Sequence, residues 1–198
     1  LLRDRIKSVQ NTRKITTAMK LVAAAKLRKA QDQAEAGRPY AERMNNMLGS
    51  LAAGSTSDNP LLAGTGSSDV HMIVLATADR GLCGGFNANL IKDALKLAGD
   101  LTAQGKTVKF YTLGKKGAQA LNRTHGDAIV KGMTDLDKPS LNFAKADAVA
   151  QDLLRMYADG EFDVAHLVYA KFKSAIEQNV TRLQLMPFTV EGASADAS

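Results

Sequence analysis

The chain has 198 residues, 45% of them hydrophobic and 23% charged, which leaves room for one well-packed domain and an extension. Its single cysteine excludes an internal disulfide, and no run of eighteen apolar residues predicts a membrane-spanning helix. The net charge of +6 admits three kinds of partner: nucleic acid, an anionic membrane surface or an acidic protein surface.

The amino-terminal residues 1–36 predict one long helix, because they contain neither Gly nor Pro and are rich in good helix formers. At a rise of about 1.5 Å per residue this rod is roughly 54 Å long, so we expect it to protrude from a small domain. Nine cations and one acid lie in residues 1–29. Apolar residues recur at steps of three and four, apart from one irregular step between Val9 and Ile15, and predict a narrow stripe suited to a partner helix.

Gly37 and Pro39 predict a break near 37–39, after which the helix resumes and ends near residue 52. Residues 53–69, rich in Gly, Ser and Asp, read as a linker. A domain over residues 70–190 follows, in which strands alternate with helices and predict a mainly parallel sheet. The predicted strands are 71–76, 107–113, 128–130, 164–172 and 180–188, and the predicted helices are 88–103, 115–122 and 140–157. Ser140 is the predicted N-cap of the last helix, and Gly160 is predicted to close it.

Residues 191–198 are small and polar and read as a second linker. The apolar stripe on the first helix needs a partner of similar length, and the helices of the predicted domain are about half as long. These two features together predict that a second long helix is missing from this sequence.

The loop of residues 79–87, between a strand and a helix, is the most conspicuous local motif. As a phosphate cradle it has glycines, but neither the dinucleotide-binding spacing nor a P-loop ending. As a nucleophile elbow it would use Cys83 for amidotransferase chemistry, which needs a base, and the histidines are His71, His125 and His166. The third interpretation is favoured: a tight structural loop, with glycines for unusual backbone angles and Cys83 as a small buried apolar residue.

Other candidate sites are weaker. One Cys and three scattered His supply no structural zinc site. Residues 114–117 could contact phosphate at a helix start, although a surface turn is the commoner outcome. Lys171, Lys173 and Arg182, with Arg38, could form a basic patch. A nucleic-acid-binding protein that uses the basic first helix remains an alternative, although the low aromatic content argues against a surface that stacks exposed bases.

Three motifs resemble those of the gamma subunits of F-type ATP synthases. Residues 8–28, SVQNTRKITTAMKLVAAAKLR, resemble the amino-terminal rotor helix of that family. Residues 78–90, ADRGLCGGFNANL, resemble its central signature. The third match consists of YAKFKSAI at 169–176 and QLMP at 184–187. The motifs occur in the family's order and together run from one end of the chain to the other.

The resemblance implies a shaft of two antiparallel helices formed by the chain ends, with a Rossmann-like α/β domain inserted between them. This sequence departs from the family in lacking the carboxy-terminal helix, so it holds half of the shaft. The implied function is that of a central-stalk rotor subunit, which couples proton flow through the membrane ring to ATP synthesis or hydrolysis on the beta subunits and helps to regulate ATPase activity. The resemblance assigns this chain no catalytic residue, metal or cofactor, since ATP, ADP and magnesium bind on alpha and beta.

The resemblance also implies site residues and partners. The positions expected to contact the alpha/beta head are Arg13, Lys14, Met19, Lys20, Lys26 and Arg28. Those expected in the foot, near the c-subunit ring, are Arg38, Pro39, Tyr169 and Lys171. The structural signature loop comprises Asp79, Arg80, Gly81, Leu82, Cys83, Gly84 and Gly85. The α/β domain is expected to contact the epsilon subunit. The protein is then peripheral, on the cytoplasmic side of a bacterial inner membrane, with no nucleic acid and no direct membrane span.

Overall fold

The computed structural model describes residues 2–54, 59–138, 140–174 and 176–188. The chain divides into two compact units, Leu1–Ala53 and Gly54–Ser198. Within the described residues, no helix is long and apolar enough to cross a membrane. The predicted linker at 191–198 lies outside the described residues.

The first unit is a single helix, α1, which spans Leu2–Gly54. The break predicted near 37–39 is wrong, because α1 continues through Gly37 and Pro39. Proline removes one amide donor and costs about 3 kcal/mol in a helix interior, and glycine costs about 1 kcal/mol. A helix of 53 residues accommodates these losses because the turns on either side keep their own hydrogen bonds.

The second unit contains a five-stranded sheet in the order β3-β2-β1-β4-β5. Strand β1 pairs in parallel with β2 and with β4, and β2 pairs in parallel with β3. Four parallel strands need crossover connections, and helices supply them. The strands are β1 Val70–Ala76, β2 Thr107–Leu113, β3 Ile129–Met133, β4 Val164–Phe172 and β5 Gln178–Met186; the helices are α2 Pro60–Ala63, α3 Phe86–Ala103, α4 Lys115–His125 and α5 Phe143–Ala158. The predicted α/β class with a Rossmann-like, mainly parallel sheet and a long amino-terminal helix is confirmed.

Strand β5 is the exception to the parallel pattern, since it runs antiparallel to β4. The connection between them is too short for a crossover, and Glu177 closes it by donating its amide to the carbonyl of Ser174. The sheet is therefore mixed, with one antiparallel strand at its edge. The strand predicted at 180–188 is found two residues earlier, at Gln178–Met186.

Apolar side chains cover both faces of the sheet. On one face, Leu90 and Ala94 of α3 pack with Leu121 of α4 against β1, β2 and β4. On the other face, Leu153 and Met156 of α5 pack against β1, β2 and β4. Because β1 lies at the centre, its residues Met72–Leu75 are fully buried. This burial on both faces explains the continuous apolar run in its sequence.

Part of the predicted linker belongs to the second unit. Asn59 caps the short helix α2, and Pro60 accepts a hydrogen bond at 2.8 Å from the hydroxyl of Tyr157 on α5. Helix α5 begins after Asn142, which accepts a hydrogen bond from the Lys145 amide, and not at the predicted cap Ser140. Gly160, with φ of +73°, follows the end of α5 as expected.

Candidate functional site

The signature loop lies between β1 and α3, at the carboxyl edge of the parallel strands. Its Asp79 holds two neighbouring segments. One carboxylate oxygen accepts a hydrogen bond at 2.9 Å from the amide of Lys115, in the first turn of α4, and the other accepts one at 2.9 Å from the amide of Asp135, after β3. Asp79 therefore fixes the loop to the two connections that surround it.

Asn87, in the first turn of α3, holds the loop from its other end. Its Oδ1 accepts a hydrogen bond at 2.9 Å from the Ala78 amide, and its Nδ2 donates to the Arg80 carbonyl at 3.2 Å and to the Cys83 sulfur at 3.2 Å. Leu82 adopts a left-handed conformation, with φ of +61°, and its side chain is fully exposed. The loop is thus a hydrogen-bonded structure that presents an aliphatic side chain to solvent.

The carboxylate of Asp135 lies beside two lysines, at 2.7 Å from Lys138 Nζ and 3.0 Å from Lys115 Nζ. Hydrogen bonds from Lys138 and then from Lys115 lower the pKa of Asp135. Oxygens of Asp79, Asp135 and Asp137 lie within 4.8 Å of one another, which is close enough for a cation. Two of the three carboxylates are already engaged by amides and lysines, and we assign no metal to this group.

The first turn of α4 tests the phosphate interpretation of residues 114–117. The amide of Lys115 donates to Asp79, that of Lys116 to the Ala78 carbonyl at 3.2 Å, and that of Gly117 to Thr77 Oγ1 at 2.8 Å. A helix start binds phosphate through free amides. These three amides have protein acceptors, so the turn is a structural junction.

The environment of Cys83 tests the amidotransferase alternative. The cysteine is exposed, and its sulfur lies 3.9 Å from the Arg80 carbonyl and 3.2 Å from Asn87 Nδ2. None of the three histidines contacts it within the described part of the chain, since His71 bonds to His166 and His125 contacts Thr124 and Phe110. A cysteine nucleophile needs a base within hydrogen-bonding reach. The loop is a hydrogen-bonded structure, as the favoured interpretation predicts, but the predicted burial of Cys83 is wrong, because the cysteine is exposed.

The six residues expected to contact the head all lie on α1 and are exposed. At about 100° per residue, they fall into three pairs on three different faces of the helix. Arg13 and Lys20 share one face, Met19 and Lys26 share a second, and Lys14 and Arg28 lie close together on a third. No single flat surface could contact all six side chains.

The apolar stripe of α1 is exposed within this chain. Val9 and Ile15 are 68% and 61% exposed, and Met19 and Val22 are 55% and 58% exposed. The six-residue step from Val9 to Ile15 turns the helix by about 240° beyond a full rotation. The stripe therefore consists of two patches on different faces, and a single straight partner helix could not cover both.

The four residues expected in the foot are divided between the two units. Arg38 and Pro39 lie on α1, whereas Tyr169 and Lys171 lie two positions apart on β4 and so share one face of the sheet. Nothing in either unit by itself joins the two pairs, and their grouping stays a prediction. Two cations of the proposed basic patch are paired with acids. Arg182 binds Asp93, and Lys173 binds Glu177 at 2.8 Å.

Sequence reasoning found the signature loop but missed the contacts that hold it, which are made by the Asn87 side chain and by the backbone amides of Lys115 and Asp135. It also placed His71 and His166 in strands without finding that they bond to each other at 2.9 Å. Asn87 contacts only its own loop. The contacts of Asp79 and the bond between the histidines depend on which strands are neighbours, and the sequence gives no direct signal of strand order.

Comparison with known proteins shows three similarities. The whole chain, residues 1–198, matches the family model described as ATP synthase. The ATP synthase gamma chain of Rhodospirillum rubrum is 52% identical over 192 residues, which make up 96% of this chain and 64% of that relative. The ATP synthase gamma chain of Rhodobacter capsulatus is 50% identical over 200 residues, 100% of this chain and 69% of that relative. The chain spans about two thirds of the length of these relatives.

A solved structure gives a similarity in fold. The structure of the central stalk and c-ring of the Tetrahymena thermophila mitochondrial ATP synthase contains a chain that superimposes with a TM-score of 0.68 and 26% sequence identity. The superposition covers 87% of the present chain and 72% of that chain.

Proposed function

This chain belongs to the ATP synthase gamma-chain family, and we propose that it forms the amino-terminal two thirds of a central-stalk rotor subunit. In this proposal, rotation of the subunit couples proton flow through a membrane ring of c subunits to ATP synthesis or hydrolysis on beta subunits. The similar gamma chains support membership of the family, and the length and charge of α1 support the role of a rotor subunit.

The observation that carries the proposal is the distribution of charge around α1. Residues 1–29 hold nine cations and one acid, and the six head-contact candidates occupy three faces of the helix. A partner that packs on one side would leave two of these faces in solvent. A ring of subunits with acidic inner surfaces would neutralise all three, because it surrounds the helix.

The mechanism follows from the asymmetry of such a shaft. Each orientation would place different side chains against each of three beta subunits and so favour a different affinity for ADP, phosphate and ATP. Turning the shaft would exchange these states in sequence. The chain itself would bind no nucleotide, magnesium or other cofactor and would contribute no catalytic residue. Its effect on ATPase activity would be mechanical.

At residue level, we propose that Lys20 and Arg28, with the other four head candidates, contact the alpha and beta subunits. The candidates Arg38, Pro39, Tyr169 and Lys171 would lie in the foot near the c-subunit ring. The α/β unit would contact the epsilon subunit. The subunit would be peripheral, on the cytoplasmic side of a bacterial inner membrane.

The first test is native isolation of the complex in mild detergent, with intact masses of its subunits. The expected result is an ATPase head of three alpha and three beta subunits bound to a gamma chain heavier than the 21.1 kDa of this sequence. Recovery of a free chain with no ATPase would overturn the proposal.

The second test is charge reversal in the complete complex. Lys20→Glu and Arg28→Glu are each expected to lower coupled ATP synthesis severalfold, because each places an acid against an acidic surface. Lys96→Glu, on the exposed face of α3, is the matched control and should leave synthesis unchanged. Unchanged synthesis in both α1 variants would refute the head-contact assignment.

A further inference from the structure

His71 and His166 form a hydrogen-bonded pair between adjacent parallel strands. His71 is the second residue of β1 and is 7% exposed, and His166 lies on β4, opposite Ile73 in the strand register. Nδ1 of His71 is 2.9 Å from Nε2 of His166. The ring centroids are 5.2 Å apart and the planes differ by 4°. This centroid distance is that of two rings lying edge to edge in one plane, which is the geometry of a direct N–H···N bond.

The second nitrogen of His71 fixes the position of the protons. Its Nε2 is 3.0 Å from the carbonyl oxygen of Ser68, which can only accept a hydrogen bond. Nε2 of His71 therefore carries a hydrogen. In a neutral imidazole the other nitrogen is then an acceptor, so His71 Nδ1 accepts and His166 Nε2–H donates.

The same reasoning sets how many protons the pair can bind before its hydrogen bond is lost. One added proton leaves one imidazole neutral, and a neutral imidazole can accept the hydrogen bond of its cationic neighbour. Two added protons make both rings donors at both nitrogens, so two N–H groups and two positive charges face each other. The bond between the strands is then lost.

We propose that His71 and His166 form a proton-binding site that fastens β1 to β4, keeps its inter-strand bond with one added proton, and opens when a second proton binds. This site is independent of the rotor proposal.

Burial is the largest effect that favours the neutral form of the pair, and the charged groups around it act in both directions. Lys106, just before β2, and Arg182, on β5, each add positive charge, whereas Asp69 and Asp163 favour a proton on His71. On α3, Asp93 is bound to Arg182 and Asp100 lies near it. Burial lowers the pKa of His71. Burial, the neighbouring His71 and Arg182 lower the pKa of His166 from 6.5 to about 4.

These pKa values define the pH range over which the pair stabilises the folded chain. Because the folded pKa is below the unfolded value of 6.5, the unfolded chain binds the proton first as the pH falls. The stabilising contribution is complete above pH 6.5 and is lost progressively toward pH 4. For a pKa lowered from 6.5 to about 4, the folding equilibrium constant falls on the order of 50-fold between about pH 7.5 and about pH 4.5.

Nuclear magnetic resonance of the unmodified chain with ¹⁵N-labelled histidine tests the site directly. At neutral pH the rings of His71 and His166 are expected as Nε2–H tautomers, with a scalar coupling from His166 Nε2 to His71 Nδ1. The coupling should persist through the first protonation and vanish with the second. Nδ1–H tautomers at neutral pH, or independent titration of both rings near pH 6.5, would overturn the proposal.

Denaturation at several pH values provides the second test. In the double variant His71→Asn/His166→Gln, the amide groups occupy the positions of Nδ1 and Nε2 and keep a bond that does not titrate. This variant is expected to lack the fall of about 50-fold in the folding equilibrium constant at acid pH. His125→Gln is the matched control, because His125 lies outside the pair, and it should follow the unmodified chain. A double variant with the same pH dependence as the unmodified chain would refute the site, and if the variant does not fold, the resonance test decides.

Discussion

At the scale of single residues, Thr77 fixes the junction of β1, β2 and α4. Its amide donates to the Leu113 carbonyl at 2.8 Å, and its hydroxyl oxygen accepts from the Gly117 amide at 2.8 Å. Gly114, between β2 and α4, passes directly over this residue with φ of +94°. A Cβ built on Gly114 would lie 2.2 Å from the Thr77 carbonyl oxygen. Only glycine satisfies both the backbone angle and the close approach.

Gly114→Ala is therefore expected to destabilise the chain by about 3 kcal/mol or more, because strain from the left-handed angle adds to a backbone clash. The matched control is Gly105→Ala. Gly105 also has positive φ, +77°, but no atom lies within 4 Å of the added Cβ, so about 1 kcal/mol is expected. Urea denaturation measures both variants. Equal losses would show that the contact with Thr77 has no energetic effect.

Asp163 is a second residue with a testable role. Its carboxylate accepts hydrogen bonds from Thr65 Oγ1 at 2.8 Å, the Val70 amide at 2.9 Å and the Asp69 amide at 3.0 Å. Burial alone would raise the pKa of Asp163, but these hydrogen bonds outweigh it, and the pKa is lowered. The carboxylate therefore stabilises the fold above its unfolded pKa, and this contribution is lost as the pH falls through the folded pKa.

Asp163→Asn is expected to cost about 2 kcal/mol at neutral pH, because the variant loses a charged acceptor and turns an amide donor toward backbone N–H groups. The difference from the unmodified chain should shrink as the pH falls below about 4, because the unfolded chain then binds the proton first, and it should disappear below the lower pKa of the folded state. Urea denaturation at several pH values between neutral and acid measures this difference in the free energy of unfolding. Asp127→Asn, at an exposed position, should show little change. A cost at Asp163 that does not vary with pH would contradict the assignment.

At the scale of elements, the edge strand β5 is fastened to α3 by one ion pair. Arg182 Nε donates to Asp93 Oδ2 at 2.8 Å, and its terminal nitrogen donates to Oδ1 at 2.9 Å. Two parallel hydrogen bonds give this pair a fixed geometry. The pair thus joins the antiparallel strand to a helix that packs against the parallel strands.

A double-mutant cycle of Arg182→Ala and Asp93→Ala is expected to give a coupling energy of about 1 kcal/mol, since the pair is bidentate and partly shielded from solvent. The control cycle uses Arg155 and Asp159, whose side chains are 58% and 57% exposed, and should give less than about 0.5 kcal/mol. Thermal denaturation provides the four stabilities in each cycle. Coupling no greater than that of the control would mean that β5 is held by the sheet alone.

Local pattern predicted most elements of this fold, but not their arrangement. The apolar run at 71–76 and the stripe on α3 were found because burial imposes a period that the sequence records. The position of β4 beside β1 follows from the packing of the whole unit, so the bond between His71 and His166 had no local signal. Continuation of α1 through Pro39 was also missed, since its cost depends on the neighbouring turns.

At the scale of the whole molecule, the two units differ in what stabilises them. The second unit has its own core on both faces of the sheet, with Phe110, Tyr111 and Phe162 fully buried. Among the residues that the structure describes, helix α1 has no such core, and its apolar side chains, such as Leu2 and Leu21, are 77% and 68% exposed. A helix draws most of its stability from the packing of an apolar face. We therefore expect α1 to be stabilised by partners other than the described residues of this chain.

This difference predicts two unfolding transitions in the isolated chain. The helical signal of α1 is expected to decrease first, over a broad and weakly cooperative range, because isolated helices have only marginal stability in water. The second unit should unfold later in one cooperative step, as a domain with its own core does. Circular dichroism in the far ultraviolet reports the first transition, and tyrosine fluorescence of a Tyr40→Phe variant, whose remaining tyrosines all lie in the second unit, reports the second. If both signals changed together in one transition, α1 would draw its stability from within the chain, and its need for surrounding partners would be refuted.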